Sequence, residues 1–212
     1  NSMIRLPPPV PAEAVLDLLI PGADVIVPLA NGEPTSILDA IEAAADQLEG
    51  VRIHQMHALR DRPYLHGVYG DRLRHVSYFL SHITRPAYWE GTIDLVPNHF
   101  SEVPTLLRRS TRCTVVIAAC SPPDQHGYFS LGTNADYVAG LIGRVPIFLE
   151  ATPYMPRTRG ANVVHHSQVA GWCESERPLV EVPRSEANDI DRSIASLVAE
   201  RISDGASVQI GI

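Results

Sequence analysis

Lysine does not occur in the 212 residues; the 17 basic side chains are all arginine. Its absence excludes a Schiff-base lysine, a lysine anchor for pyridoxal phosphate and the lysine of a phosphate-binding P-loop. No Gly-x-Gly-x-x-Gly follows a strand-like run, so a Rossmann site for NAD has no support. A Gly-x-Ser-x-Gly nucleophile elbow is also missing: Gly127-Tyr128-Phe129-Ser130-Leu131-Gly132 has the wrong spacing. No apolar run approaches the roughly 18 to 20 residues that span a bilayer. Residues 1–11 lack a basic-then-apolar leader, and Asn1-Ser2 ahead of Met3 reads as a cloning remnant. Cysteine is scarce: Cys113, Cys120 and Cys173 are odd in number and widely spaced. They suggest buried thiols in a reducing, cytoplasmic setting and not a disulfide framework. Positive charge is short too, and a net charge of −7 argues against nucleic acid or an anionic membrane as partner.

What remains is an ordinary globular composition, 45% apolar and 19% charged, with enough length for one substantial domain. Strand-length apolar runs alternate with amphipathic helical patterns, the signature of an α/β fold with an open, mostly parallel sheet flanked by helices. A helix is expected over 11–19, then a strand over 24–29. Pro34 sits near the first turn of the next helix, on which Ile37, Leu38, Ile41, Ala44, Ala45 and Leu48 recur at helical spacing. Strands are expected at 51–59, 73–80, 93–97, 114–120 and 146–150, with a helix over 135–142. Residues 152–183 read as irregular, with an edge strand at 179–182. Asn188 caps a last helix carrying Ile190, Ile194, Leu197, Val198 and Ile202 on one face. Gly205 ends that helix and a strand is expected over 206–212. A parallel strand with no exit suggests a truncated polypeptide.

In such a sheet, ligands bind outside the carboxyl ends of the strands, so three loops become candidates. Asn31-Gly32-Glu33-Pro34 follows the first strand and opens a helix, where free amides and the helix dipole favour an anion; Glu33 either binds a substrate group or caps the helix. Ser121-Pro122-Pro123-Asp124-Gln125-His126-Gly127 follows the most apolar strand; Asp124 and His126 face a ligand there, or Asp124 makes an Asx turn in a rigid loop. The loop after the 146–150 strand offers Arg157 and Arg159, and arginine suits phosphate or carboxylate. A metal site is not expected: His54 and His57 lie three apart on a strand, and His165 and His166 are adjacent, so each pair should point apart.

Taken in order along the chain, Gly32-Glu33-Pro34, Phe100-Ser101-Glu102-Val103-Pro104, Ser121-Pro122-Pro123-Asp124-Gln125-His126-Gly127-Tyr128, Ser130-Leu131-Gly132, Asp136-Tyr137, Met155-Pro156-Arg157-Thr158, Asp204-Gly205-Ala206 and Gly211-Ile212 resemble one family. It is the N-terminal domain of the acetyl-CoA hydrolase/transferase family, the branch of family I CoA-transferases with the 4-hydroxybutyrate and succinyl-CoA:acetate enzymes. The resemblance implies two similar α/β domains with the active site between them, residues 1–212 being the first. It implies coenzyme A as acyl-CoA substrate, a short-chain carboxylate or water as acceptor, no metal, PLP or NAD, and a homo-oligomer at full length.

It further implies a glutamate nucleophile that forms an acyl-glutamyl anhydride and then a glutamyl-CoA thioester. That glutamate belongs to the second domain, downstream of Ile212, so no catalytic residue is expected among Glu33, Glu102 and Glu150. Substrate-binding positions carried by the resemblance are Asn31, Gly32, Glu33, Pro34, Ser121, Pro122, Asp124, His126, Gly127, Met155, Arg157 and Gly211. This chain departs from the family at Leu29-Ala30-Asn31, where relatives carry more glycine. The reading from another class is a non-catalytic binding domain or a subunit completed by a separate chain; a sugar-phosphate isomerase on a related scaffold is disfavoured by the missing lysine.

Overall fold

The computed structural model describes residues 5–181 and 183–211, which divide into two compact units, Asn1–Val180 and Glu181–Ile212. The elements of the first are β1 (Asp24–Val27), α1 (Thr35–Ala43), β2 (Val51–Gln55), β3 (Leu73–Ser77), α2 (Thr84–Trp89), β4 (Asp94–Leu95), α3 (Val103–Ser110), β5 (Val115–Cys120), β6 (Tyr128–Ser130), β7 (Ile147–Ala151), β8 (Val163–His165) and β9 (Val169–Glu174). Seven strands form one sheet in the order β4-β3-β2-β1-β5-β7-β9, and every pairing in it is parallel. β6 and β8 make a separate antiparallel ribbon.

Side-chain alternation explains why the sheet is covered on both faces. Val25 and Val27 pack with Ile37, Leu38 and Ile41 of α1, while Ile26 between them packs with Val116 and Leu107 on the other side. Every residue of β5 is buried, as its unbroken apolar run requires. Four strands end earlier than the sequence suggests: β1 at Val27, β2 at Gln55, β3 at Ser77 and β4 at Leu95. Their expected carboxyl-terminal residues leave the sheet and build its rim.

Other expectations are corrected. The 11–19 segment is a 3-10 helix, Ala12–Leu18. The helix expected over 135–142 shrinks to a 3-10 turn at Ala139–Leu141. There the Asp136 carboxylate accepts from Val138 N (3.0 Å) and from Leu29 N (2.9 Å), an alternative partner for the backbone that competes with helix. The edge strand is β9, whereas residues 179–181 are not a strand and Val182 lies outside the described residues. Gly171 disguised β9; the Phe148 ring stands 2.7 Å from where a Cβ would sit, so only glycine fits in mid-strand. α2 and α3 were not foreseen, although Pro104 in the first turn of α3 is a helix-start signal.

In the second unit, α4 (Asp189–Ala199) begins as expected at Asn188. Asp191 N donates to Asn188 Oδ1 and Asn188 N donates to Asp191 Oδ2, both at 2.9 Å, a reciprocal cap. Residues 206–211 form no strand, and Ile212 lies outside the described residues. Among the described residues of this unit no second strand is present to pair with them. No helix among the described residues is long and apolar enough to cross a membrane.

Candidate active site

In the sheet order, β1 lies between β2 and β5: the chain runs outward from β1 through β2, β3 and β4 on one side, and through β5, β7 and β9 on the other. This reversal makes the crevice between the carboxyl ends of β1 and β5 the expected ligand position. A partly open crevice is there, with a volume of about 20 Å³, room for a water molecule. Its inner wall is Glu33, Thr35, Ala119, Glu150 and Thr152; Arg60 and the 177–180 segment line its outer side.

The loop after β1 is held tightly. Gly32 packs so closely on Pro28 and on Asn134 (2.8 Å from a hypothetical Cβ) that a larger residue would overlap them. Ala30 adopts φ +48°, in the left-handed region. Asn31 does not point at a free ligand position: its Nδ2 donates to Val180 O at 3.0 Å and its Oδ1 accepts from Val180 N at 2.9 Å. Thr152 Oγ1 donates to Arg177 O at 3.1 Å, fixing the same strap over the crevice.

Glu33 is not a helix cap, and Pro34, which precedes α1, supplies no side-chain cap. The Glu33 carboxylate is buried, accepting from Gln55 Nε2 (2.9 Å) and Arg62 Nε (3.4 Å). Burial pushes its carboxyl up, against those two donors. The anion at the start of α1 is the protein's own. Glu150 Oε1, from β7, accepts from Ser36 N at 2.7 Å and Ile37 N at 3.1 Å. The helix N-terminus expected to cradle a ligand anion is therefore occupied by a side chain 114 residues away. Burial raises the Glu150 carboxyl as well, with the α1 amides opposing.

Arg62 was missed from sequence, where a lone arginine carries no spacing signal. Its guanidinium donates to Asp39 (2.9 Å), Glu42 (3.0 Å) and Thr35 O (3.1 Å) besides Glu33, so it cross-links α1 to the loops after β1 and β2. Gln55 was also overlooked, and Glu150 was weighed only as a nucleophile, not as the anion at the start of α1.

The loop after β5 is an Asx turn: Asp124 Oδ1 accepts from His126 N and Tyr128 N, both at 2.9 Å. The Tyr128 amide is the main reason the Asp124 carboxyl lies below its ordinary value. Arg157 Nη2 donates to Pro122 O (2.7 Å) and Tyr128 O (2.8 Å), tying the β5 and β7 loops together. Ser121 Oγ accepts from Ser130 N at 3.0 Å. Gly127, at φ +79°, leaves no room for a side chain beside the His166 ring, and Met155 fills the space beside Gly132. The exposed His126 ring contacts Gln125.

Of the residues singled out in the sequence, Asn31 and Glu33 meet at the crevice, with Gly32 and Pro34 in the same loop. Asp124 and Arg157 border a separate groove of about 540 Å³ with Tyr128, Arg159 and Val163. Ser121, Pro122, His126, Gly127 and Met155 build the loops behind that groove, and Gly211 lies in the second unit.

Among the described residues, no three His, Cys, Asp or Glu side chains stand close enough to share a metal ion. His54 is engaged by Asp24 (2.7 Å) and Tyr78 (2.9 Å), and His57 stacks on Phe79. His165 and His166, expected to point apart, have ring centroids 4.3 Å apart because β8 ends at His165 and turns at once into a 3-10 helix. The three cysteines are free thiols; Cys120 and Cys173 are buried, whereas Cys113 is only half-buried.

A parallel sheet with a crevice at its switch point defines an open α/β domain. Residues 11–176 match the family model of the acetyl-CoA hydrolase/transferase N-terminal domain, and the chain belongs to that family. It is 32% identical over 207 residues to succinyl-CoA:cyclohexane-1-carboxylate CoA transferase of Geobacter metallireducens, covering 96% of this chain and 46% of that protein. It is 30% identical over 205 residues to 4-hydroxybutyrate coenzyme A transferase of Clostridium kluyveri, covering 96% and 48%. Among solved structures, RipA from Yersinia pestis superposes with a TM-score of 0.86 at 25% identity, over 96% of this chain and 50% of that one. The 4-hydroxybutyrate CoA-transferase of Porphyromonas gingivalis superposes with a TM-score of 0.77 at 26% identity, over 94% and 46%. The chain thus spans about half the length of the curated relatives it matches.

Proposed function

We propose that this chain is the N-terminal half of an enzyme that moves coenzyme A between a short-chain acyl-CoA and a carboxylate, or releases it to water. The observation that carries the reading is the match to CoA transferases over 96% of the chain, at 32% and 30% identity. On this reading the glutamate that forms the acyl-glutamyl anhydride and the glutamyl-CoA thioester lies in the other half. Covalent catalysis of this kind divides one difficult transfer into two easier ones.

The roles left to this half are positioning and exclusion of water. The Asn31–Val180 pair and the Thr152–Arg177 bond keep the crevice narrow. Glu33 and Glu150 are held in place by Gln55, Arg62 and the α1 amides, which gives them a structural role in the crevice wall. The rigid Asp124–Arg157 loops form the wall along which the thioester would lie.

The test is CoA exchange between an acyl-CoA and a carboxylate by the full-length polypeptide, beside the 212-residue chain alone. Exchange by the first and none by the second is expected, since losing a covalent nucleophile removes many orders of magnitude in rate. Turnover by the chain alone, abolished by Glu33→Gln or Glu150→Gln, would overturn the assignment of the nucleophile to the other half.

A further inference from the structure

Arg60 is the charge that the crevice leaves unused. Around it, Asp39 is shared by Arg62 (2.9 Å) and Arg177 (2.6 Å), and Glu42 is taken by Arg62 (3.0 Å) and the Tyr69 hydroxyl (3.1 Å). Asp61 is paired with His66 at 2.5 Å. Glu33 and Glu150 have the partners already described. Among the described residues Arg60 makes neither a hydrogen bond nor an ion pair, although it is half-buried and lies close enough to Glu33 to act on its charge. A half-buried guanidinium has given up part of its hydration with no protein group in return. It borders both the crevice and an adjoining open groove of about 610 Å³, so an anion in either reaches it.

We propose that Arg60 receives the distal carboxylate of a dicarboxylic acyl substrate, and is the residue that makes this half select such acyl groups. The inference rests on the CoA-transfer reading above. A distal carboxylate keeps its charge throughout the reaction, so a permanent cation binds substrate and product alike. A reacting carboxylate loses its charge as it becomes a thioester, and an arginine holding it would stabilise the ground state against transfer. The crevice has room for no more than a water molecule, so an acyl group would reach Arg60 from the open groove, whose wall of Asp39, Glu42, Arg62 and Tyr69 is polar and does not suit a long apolar chain. Arginine binds carboxylate through two parallel donors, which gives direction as well as charge.

Succinyl-CoA and butyryl-CoA have four-carbon acyl groups and differ in the distal carboxylate. With the full-length protein, Arg60→Gln should raise KM for succinyl-CoA by about 10- to 100-fold relative to butyryl-CoA, with Arg60→Lys intermediate. Equal losses on both substrates would place Arg60 against a phosphate of coenzyme A, or against the reacting carboxylate, and overturn the proposal. A wild-type enzyme that accepts butyryl-CoA and rejects succinyl-CoA would also overturn it. A second reading needs no turnover. Succinate, but not butyrate, should raise the melting temperature of the wild-type chain, and Arg60→Gln should abolish the rise. Succinate protection without any CoA exchange would keep the site and defeat the CoA-transfer reading. Exchange without a selective Arg60 effect would keep that reading and defeat this one.

Discussion

Ala30 adopts a conformation that glycine takes without steric cost, at φ +48°, one residue before the Asn31 that latches the strap. Left-handed backbone costs a residue with a Cβ about 1–2 kcal/mol, and glycine's greater freedom when unfolded offsets part of the relief. Ala30→Gly should therefore leave stability unchanged or raise it by up to about 1 kcal/mol, while Ala30→Val lowers it, both read as shifts in the urea midpoint. His75, in β3, presents a different strain. It is fully buried, neither ring nitrogen has a partner, and it stacks on Tyr64 with centroids 5.8 Å apart. Burial pushes it down to about 3, with His54 adding to the effect and Asp94 opposing it. Because the folded value lies below the ordinary 6.5, only the unfolded chain takes up this proton as pH falls. Stability from this residue is intact above about pH 6.5 and is lost on acidification, by about 3 kcal/mol at pH 4.5. His75→Phe should match the wild type at pH 7 and lose less stability between pH 6.5 and 4.5; an unchanged pH slope would show that other groups carry the acid sensitivity.

Among the elements, α1 depends most on a distant residue. Its first amides are satisfied by Glu150 from β7, which joins the helix to the far side of the switch point. Glu150→Ala should cost about 1–2 kcal/mol or more, from the lost cap and the orphaned buried amides, and Glu150→Gln less, in equilibrium unfolding. The contrast with α4 shows where sequence reading succeeds. Asn188 and Asp191 are three apart, so that cap was legible; Glu150 caps across 114 residues and left no local pattern. β5 was legible because its apolar run is continuous, and β9 was not because Gly171 breaks its pattern for the sake of Phe148. The three rim loops could be recognised by their position after strands. What they do could not, because Asn31 is spent on Val180 and Arg157 on the β5 loop, and Arg60 and Arg62 look alike until their partners are known.

At the scale of the molecule, the family model ends at residue 176 and the first compact unit at Val180, while α4 lies beyond both. That helix exposes Ile190 (71%), Ile194, Leu197 and Val198 on one face, an apolar stripe of the kind that marks an interaction surface. With the remaining half of the protein proposed as its cover, the 212-residue chain alone should self-associate in sedimentation experiments, and Ile194→Glu with Leu197→Glu should reduce that association. A wild-type chain that stays monomeric at high concentration would contradict the need for a cover.

The account as a whole turns on where the covalent intermediate forms. The most direct measurement is peptide mapping by mass spectrometry of the full-length protein after brief exposure to acyl-CoA, with the adduct captured at low pH. The account requires a glutamate outside residues 1–212 to carry coenzyme A less one water, with Glu33, Glu102 and Glu150 unmodified. Attachment to any of those three, or exchange activity with no glutamyl adduct, would contradict it.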